Sequence, residues 1–345
     1  MAEAIMLDVG GREVRLSSPD KPYFEGITKQ DVARYIMTVG DGMLSALKDR
    51  PTTMERWPGG FKEDVQPNAK GGFGDAFYQK HLPKGAPDWV QTAEVTFPSG
   101  RKATTVAPAD VATLVWMANL GTLRFHAWPV RAGATDDADQ LRIDLDPQPG
   151  NDFSDVVQAA FKLREVLDDA GLTAFVKTSG GRGLHVFTPI KPLDFIDARH
   201  ATIAIGRRLA RQMPDDVTLN WWKEERGQRI FVDYNQMARD RLMASAYSIR
   251  PTKSARVSAP VTWDELDEIS PDDFTVATVP DRYADLGDVW ADYDETTPGD
   301  PATVMRWWDE DLAAGEGELP YPPEYPKMPG EPPRVQPSRA KKGDS

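Results

Sequence analysis

No cysteine occurs among the 345 residues, so disulfides, thiolate zinc sites and a cysteine nucleophile are excluded. Histidine is scarce too, and four residues leave little room for a histidine-rich metal cage. No apolar run approaches the roughly 20 residues of a spanning helix. Residues 1–5 (MAEAI) lack the basic-then-apolar order of a secretory signal. The expected setting is the cytoplasm, with no membrane partner. An excess of positive charge is also missing: the formal net charge is −13, which at first argues against nucleic acid. The deficit is local, however. Residues 1–160 carry 17 Lys+Arg against 22 Asp+Glu, residues 161–260 carry 17 against 11, and residues 261–345 carry 7 against 21. The acidity belongs to the last quarter, and a basic groove elsewhere stays open, because phosphate binding follows the placement of cations rather than the chain total.

What is present reads as a mixed-sheet α/β fold. Residues 4–17 alternate as a strand pair turning at Gly10-Gly11. Thr28 caps a helix, since Thr28-Lys29-Gln30-Asp31 resembles a capping box, and Val32, Tyr35, Ile36 and Val39 have helical spacing. Helices are also expected over 108–120, 153–170 and 197–213, and strands over 141–146, 174–177, 184–187 and 229–233. Strands and helices interleave without a strict βαβ rhythm. The stretch 58–75, with five glycines and two prolines, reads as a long functional loop. From about 290 the chain turns acidic and proline-rich. It contains a polyproline-like run at 320–326 and ends in a small basic patch, Arg339-Ala340-Lys341-Lys342. It is expected to be an appendage along the surface or loose in solvent.

Three local features carry chemistry. In Asp144-Leu145-Asp146 the two carboxylates share one face of a strand, repel each other, and suit a hard divalent cation; a solvated strand end is the plain alternative. Lys177-Thr178-Ser179-Gly180-Gly181-Arg182-Gly183-Leu184-His185 joins two strands by a glycine turn. Its backbone N–H groups and its Ser, Arg and His donors suit phosphate, although it lacks the ending of a P-loop and may be set against an ordinary glycine hairpin. Asp233 closes an apolar strand, and Arg239, Arg241, Arg250 and Lys253 follow as a basic lining or an exposed basic face. His126 alone reads as a packed histidine. The pairs Phe77-Tyr78 and Trp221-Trp222 read as core residues, unless a loop edge lets them stack a base.

Together these residues resemble the polymerase domain of the bacterial ligase-D type, within the archaeo-eukaryotic primase superfamily. The resemblance runs from about residue 21 to 268. It is carried by Lys21, Thr28-Lys29, Asp49-Arg50-Pro51, Arg56-Trp57-Pro58, Lys84-Gly85-Ala86-Pro87-Asp88-Trp89, His126, the three features above, Tyr247-Ser248-Ile249-Arg250 and Thr262-Trp263-Asp264-Glu265-Leu266. It implies an RRM-like catalytic sheet joined to a smaller N-terminal α/β module. Residues 1–290 would form the primase-polymerase domain, with DNA contacts in about 1–105 and catalysis in about 106–290, and 291–345 an acidic, proline-rich extension. It also implies a template-directed nucleotidyltransferase acting on gapped or broken DNA with a 5′-phosphate. Two Mn2+ or Mg2+ ions would sit on Asp144, Asp146 and Asp233. His126, Ser179, Arg182, His185 and Arg250 would hold the triphosphate of an NTP or dNTP. Lys21 and Lys29 would grip the 5′-phosphate, Arg56, Phe77 and Tyr78 would meet duplex or template, and Gln236 would lie near primer or template. The implied setting is gap filling in end joining or excision repair, beside a separate DNA ligase and other repair proteins. NTPs are the expected preference, and primase activity is within reach.

The sequence departs from that pattern in four ways. Arg182 stands where lysine is common. Met54 and Glu55 stand where relatives often carry basic residues. The loop 58–75 is longer than usual, and no ligase or nuclease module is expected within these 345 residues. Two readings from other classes compete: a non-catalytic DNA-end or gap-binding module that recruits repair partners, and a DxD glycosyltransferase. Nucleotide incorporation separates the first, and DNA affinity the second.

Overall fold

A computed structural model describes residues 4–63 and 76–321. The polyproline run from 322 on, the terminal basic patch, and residues 64–75 of the long loop lie outside the described residues. The chain opens with the expected hairpin, β1 (Ala4–Val9) and β2 (Arg12–Ser17), then a short pair, β3 (Pro22–Phe24) and β4 (Ile27–Thr28). The capping box forms at α1 (Lys29–Leu47): the Asp31 amide donates to Thr28 Oγ1 at 3.2 Å, and the Thr28 amide donates to Asp31 Oδ2 at 2.8 Å. Two helix-end donors are thereby satisfied. Val32, Ile36, Val39, Met43 and Leu47 are buried along one face, each worth roughly 1.5–3 kcal/mol of apolar burial. α2 (Val111–Asn119) packs against α1 and begins three residues after the expected 108, because Asp110 is its N-cap and its carboxylate accepts the Thr113 amide.

Around these helices lies a sheet that the local pattern did not reveal. β5 (Thr52–Arg56), β6 (Phe77–Gln79), β7 (Thr92–Thr96), β8 (Lys102–Val106) and β9 (Thr122–Ala127) form it, with β5 paired to β9 along its length. The second sheet is mixed, with the order β13-β14-β10-β12-β11-β15. Its members are β10 (Asp137–Asp146), β11 (Phe175–Thr178), β12 (Leu184–Asp194), β13 (Val217–Thr218), β14 (Ile230–Val232) and β15 (Pro260–Val261). Only β13 and β14 run parallel. α3 (Phe153–Asp169) and α4 (Phe195–Gln212) cover it, α5 (Lys223–Arg226) leads into β14, and a 3-10 turn, Tyr234–Met237, follows.

Residues 245–261 join the two sheets. The Ile249 amide donates to Leu123 O at 2.9 Å on the β9 side, and the Thr178 amide donates to Ala259 O at 2.9 Å on the other. The stretch from 290 to 321 is not loose. Trp290, Tyr293, Trp307 and Trp308 are buried, α6 (Val279–Leu286) precedes them, and α7 (Ala302–Ala313) packs along α4. Of the two placements expected, along the surface or loose in solvent, this segment takes the first, because the apolar spacing Val304, Trp307, Trp308 gives it a helix face to bury.

Candidate active site

The site is a row across the second sheet. In register, Asp144 on β10 lies opposite His185 on β12, which lies opposite Lys177 on β11. Side chains in such a row share a face. Lys177, wholly buried, donates to His185 Nδ1 at 2.7 Å and to Ser258 Oγ at 2.5 Å. That bond fixes the imidazole so that Nε2 faces Asp144 Oδ1, 3.6 Å away. Burial pushes both the lysine and the histidine well below their usual pKa, and Asp144 only partly opposes this at Lys177. Lys177 lay unassigned within the glycine-loop motif; its one-to-one register with His185 is the signal that sets it in the site.

On the other flank β14 pairs with β10, and the Asp233 amide donates to Asp144 O at 3.0 Å. Asp233 then opens the 3-10 turn, and its Oδ1 accepts the Asn235 amide at 3.0 Å. The carboxylates of Asp144 and Asp233 converge on one amide: Gln236 Nε2 lies 3.0 Å from Asp233 Oδ2 and 3.4 Å from Asp144 Oδ2. Asp146, two residues along β10, shares the face of Asp144 and is the most exposed of the three. Burial raises all three carboxyl pKa values. Asp144 is pushed up to about 8 by burial first, then by the charges of Asp233 and Asp146. Among the described residues no three His, Asp or Glu groups are drawn tightly around one point. The donor set nonetheless suits a hard divalent cation: Asp233 and Asp146 both push up the pKa of Asp144, and the group between Asp144 and Asp233 is a neutral amide that a cation would displace.

The glycine loop faces this cluster. Ser179 Oγ accepts the amides of Gly181 (3.1 Å) and Gly183 (3.2 Å), and Gly180 takes a positive φ of 69°. Gly183 allows the closest approach in the site, since a Cβ there would lie 2.3 Å from Leu145 O, between the two aspartates. Gly183→Ala is therefore expected to push β10 aside, with about 2–3 kcal/mol of lost stability in urea melts. Arg182 is exposed and donates to the carbonyls of Gln148 (3.2 Å) and Asn151 (2.9 Å), and its charge, with those of Arg226 and Lys223, partly opposes the burial that raises the Asp146 pKa. Arg250, half-buried, carries no ion pair among the described residues and lies in the field of Arg124, Glu55, Asp144 and Tyr78.

His126 does not point at open space: its Nε2 meets Glu55 Oε2 at 2.9 Å, and its ring meets the edge of Tyr78 at 5.9 Å. Glu55, noted above only as a departure, is fully buried and also accepts Arg124 (2.5 Å) and Trp57 (3.1 Å). Burial would raise its pKa, yet His126 and Arg124 prevail and hold it at about 2. Arg239 is not part of a lining, because it pairs with Asp136 at 2.7 Å and lies over Phe195.

A second cluster lies at the first sheet's edge. Lys29, buried, donates to Ser17 O (2.8 Å) and Asn119 Oδ1 (2.9 Å), while the exposed Lys21 donates to Pro58 O at 2.5 Å. Arg56 donates to Leu120 O (2.7 Å) and lies over the Phe77 ring. Burial lowers the Lys29 pKa to about 8, helped by Lys21, Arg15 and Arg56. Four cations thus lie within reach of one another's charge, and three of them lower the pKa of the fourth, Lys29. Ser17, at the end of β2, and Asn119, at the end of α2, hold the Lys29 ammonium, a placement that no local pattern signals.

Carboxylates on neighbouring strands, a glycine loop beside them and Arg250, which has no ion pair among the described residues, fit a nucleotidyltransferase. Comparison with known proteins makes the class specific: a family model described as LigD, primase-polymerase domain, matches residues 28–290, and the chain belongs to that family. Enzymes of this family use a divalent metal and nucleotide substrates. The chain is 31% identical over 325 residues to the multifunctional non-homologous end joining protein LigD of Mycolicibacterium smegmatis, covering 91% of this chain and 40% of that protein. It is 30% identical to the bifunctional non-homologous end joining protein LigD of Bacillus subtilis, covering 85% and 46%. The chain thus spans less than half the length of these curated relatives. Among solved structures it resembles the polymerase domain of Mycobacterium tuberculosis ligase D in complex with DNA, with a TM-score of 0.73 and 31% identity over 83% of this chain and 99% of that one. Among the described residues no helix is long and apolar enough to cross a membrane.

Proposed function

We propose that this chain is a template-directed polymerase that fills short gaps or extends broken ends in DNA repair, with end joining the favoured pathway and a separate ligase sealing the product. The observation that carries the reading is the convergence of Asp144 and Asp233 on the Gln236 amide, with Asp146 on the same strand face. We read the six-stranded sheet as the RRM-like catalytic core of residues 106–290, residues 1–105 as the part that meets DNA, and 291–345 as an extension.

Asp144, Asp146 and Asp233 would hold two Mn2+ or Mg2+ ions, whose chemistry is to stabilise the attacking 3′-oxygen and the departing pyrophosphate. Before that, Gln236 must turn away from the carboxylates, which frees its amide for primer or template. Arg250, His185, Arg182 and the Ser179 loop would take the triphosphate. The Lys177 bond keeps the Nε2 edge of His185 toward it. His126 would meet a phosphate only after exchanging its Glu55 contact. Phe77 and Tyr78, half-buried on β6, stand where a template base would stack, with Arg56 beside them.

The 5′-phosphate of a gap would bind Lys21 and Lys29. A bound dianion favours the ammonium form of Lys29, so its pKa rises in the complex. The preference for a 5′-phosphate should therefore be full below pH 8 and fade as pH climbs past the free lysine's value of about 8. Binding to 5′-phosphate and 5′-hydroxyl gaps, measured from pH 6.5 to 9.5, checks this. The function itself is tested by extension of a primer in a 5′-phosphorylated gapped duplex, comparing NTPs with dNTPs under Mn2+ and Mg2+. Template-matched addition with NTPs favoured is expected. Tight DNA binding without any incorporation would leave a non-catalytic end-binding module instead.

A further inference from the structure

Residues after α7 lie beyond the segment that the family model covers, yet they reach the candidate site from behind. They are anchored on α4. Arg207 donates to Glu316 O (3.1 Å) and Gly317 O (2.5 Å), Arg211 donates to Asp311 (2.5 Å) and Glu316 (2.9 Å), and His200 stacks on Trp308 at 4.1 Å. From this anchorage the chain passes behind the turn that follows Asp233. Arg199, only 5% exposed, donates through Nη2 to Leu319 O (2.6 Å), through Nη1 to Glu318 (2.6 Å), and through Nε to Asn235 Oδ1 (3.0 Å). Pro320 O accepts both Asn235 Nδ2 (3.1 Å) and the Tyr234 hydroxyl (3.3 Å). The Asn235 amide in turn donates to Asp233 Oδ1. On the opposite side of the turn, buried Arg142 donates to Gln236 O at 2.7 Å.

We propose that residues 316–321 are a strap that positions Asp233, with Arg199 and Asn235 as the positioning residues that transmit its hold. The proposal rests on the reading of Asp233 as a metal-holding carboxylate. A four-residue 3-10 turn has too few bonds of its own to fix a carboxylate rotamer. Here the Asn235 side chain is fully engaged, by a guanidinium on one edge and a carbonyl on the other. The strap supplies that carbonyl and also fills the remaining arms of the guanidinium. Carboxylates held in this way lose less freedom when a cation arrives, and partners of this kind are worth about 10-fold or more in metal affinity.

The test uses the full chain with Mn2+ alone, followed by the EPR signal of the free ion, with thermal melting in parallel. Asn235→Ala removes both side-chain bonds. Arg199→Lys keeps the charge and loses the planar fork. Arg208→Ala removes an α7 anchor that touches neither Asn235 nor the strap's carbonyls. Asn235→Ala and Arg199→Lys are expected to weaken Mn2+ binding about 10-fold, with Arg208→Ala unchanged. Lower melting temperatures with unchanged Mn2+ affinity would reduce the strap to a stabilising contact and overturn the proposal. Should Arg199→Lys fail to fold, Asn235→Ala decides alone. Asp233→Asn separates the two failures: Mn2+ binding indifferent to that change overturns the metal reading together with the strap, whereas binding that depends on Asp233 but not on Asn235 overturns the strap only.

Discussion

Asp144→Asn should reduce primer extension by about three orders of magnitude, or about 4 kcal/mol of transition-state stabilisation, while the protein becomes more stable. The two effects have one cause. Asp144 is desolvated and feels the charges of both Asp233 and Asp146, so its pKa is pushed up to about 8. A carboxyl whose folded pKa lies above its unfolded value stabilises the fold while it is protonated. That contribution is complete at acid pH and is lost as pH rises toward 8. At neutral pH the folded chain must keep a proton on Asp144 that the unfolded chain has already released, a cost the neutral amide does not carry, so the variant should raise the metal-free melting temperature by a few degrees, about 1 kcal/mol. The gain should grow from pH 6 to pH 8. Added Mn2+ should reverse the order, stabilising the unaltered chain more than the variant. Extension by Asp144→Asn at the unaltered rate would remove the carboxylate from the chemistry.

The second large effect concerns the lysine cluster proposed to take the 5′-phosphate. Replacing Lys21 by Ala together with Lys29 by Gln should remove the preference for a 5′-phosphate over a 5′-hydroxyl, a loss of about 100-fold or about 2.7 kcal/mol. Extension of a primer on an open template should barely change. Gln at 29 keeps a polar group near Ser17 O and Asn119, whose contacts with Lys29 tie β2 to α1 and α2. If discrimination survives the double change, Arg15 and Arg56, which share the field of Lys29, hold the phosphate instead.

The parts of this fold that the sequence revealed are those set by neighbours in the chain. The alternation that puts Asp144 and Asp146 on one face, the capping box of α1, and the glycine loop all depend on residues within a few positions of one another. The site's second layer depends on register between distant segments. Glu55 looked like a misplaced acid until β5 paired with β9 and set it against His126 and Arg124. Lys177 gained meaning only when three strands aligned it with His185 and Asp144. For residues 290–321 the prolines and acids left two placements open, along the surface or loose in solvent, and the helical spacing of the tryptophans, which α4 covers, decides for the first. Gln236 was placed near primer or template by resemblance alone; in this structure its amide joins two carboxylates, a contact that needed β10 and the turn after β14 to come together.

The most direct test is anomalous diffraction at the manganese edge from crystals of the chain grown with Mn2+ and a non-hydrolysable NTP. Two peaks are expected beside Asp144, one of them also within reach of Asp233, with Asp146 contributing and the Gln236 amide turned out of the cluster. Manganese bound elsewhere, with Gln236 still joining Asp144 and Asp233, would contradict the account.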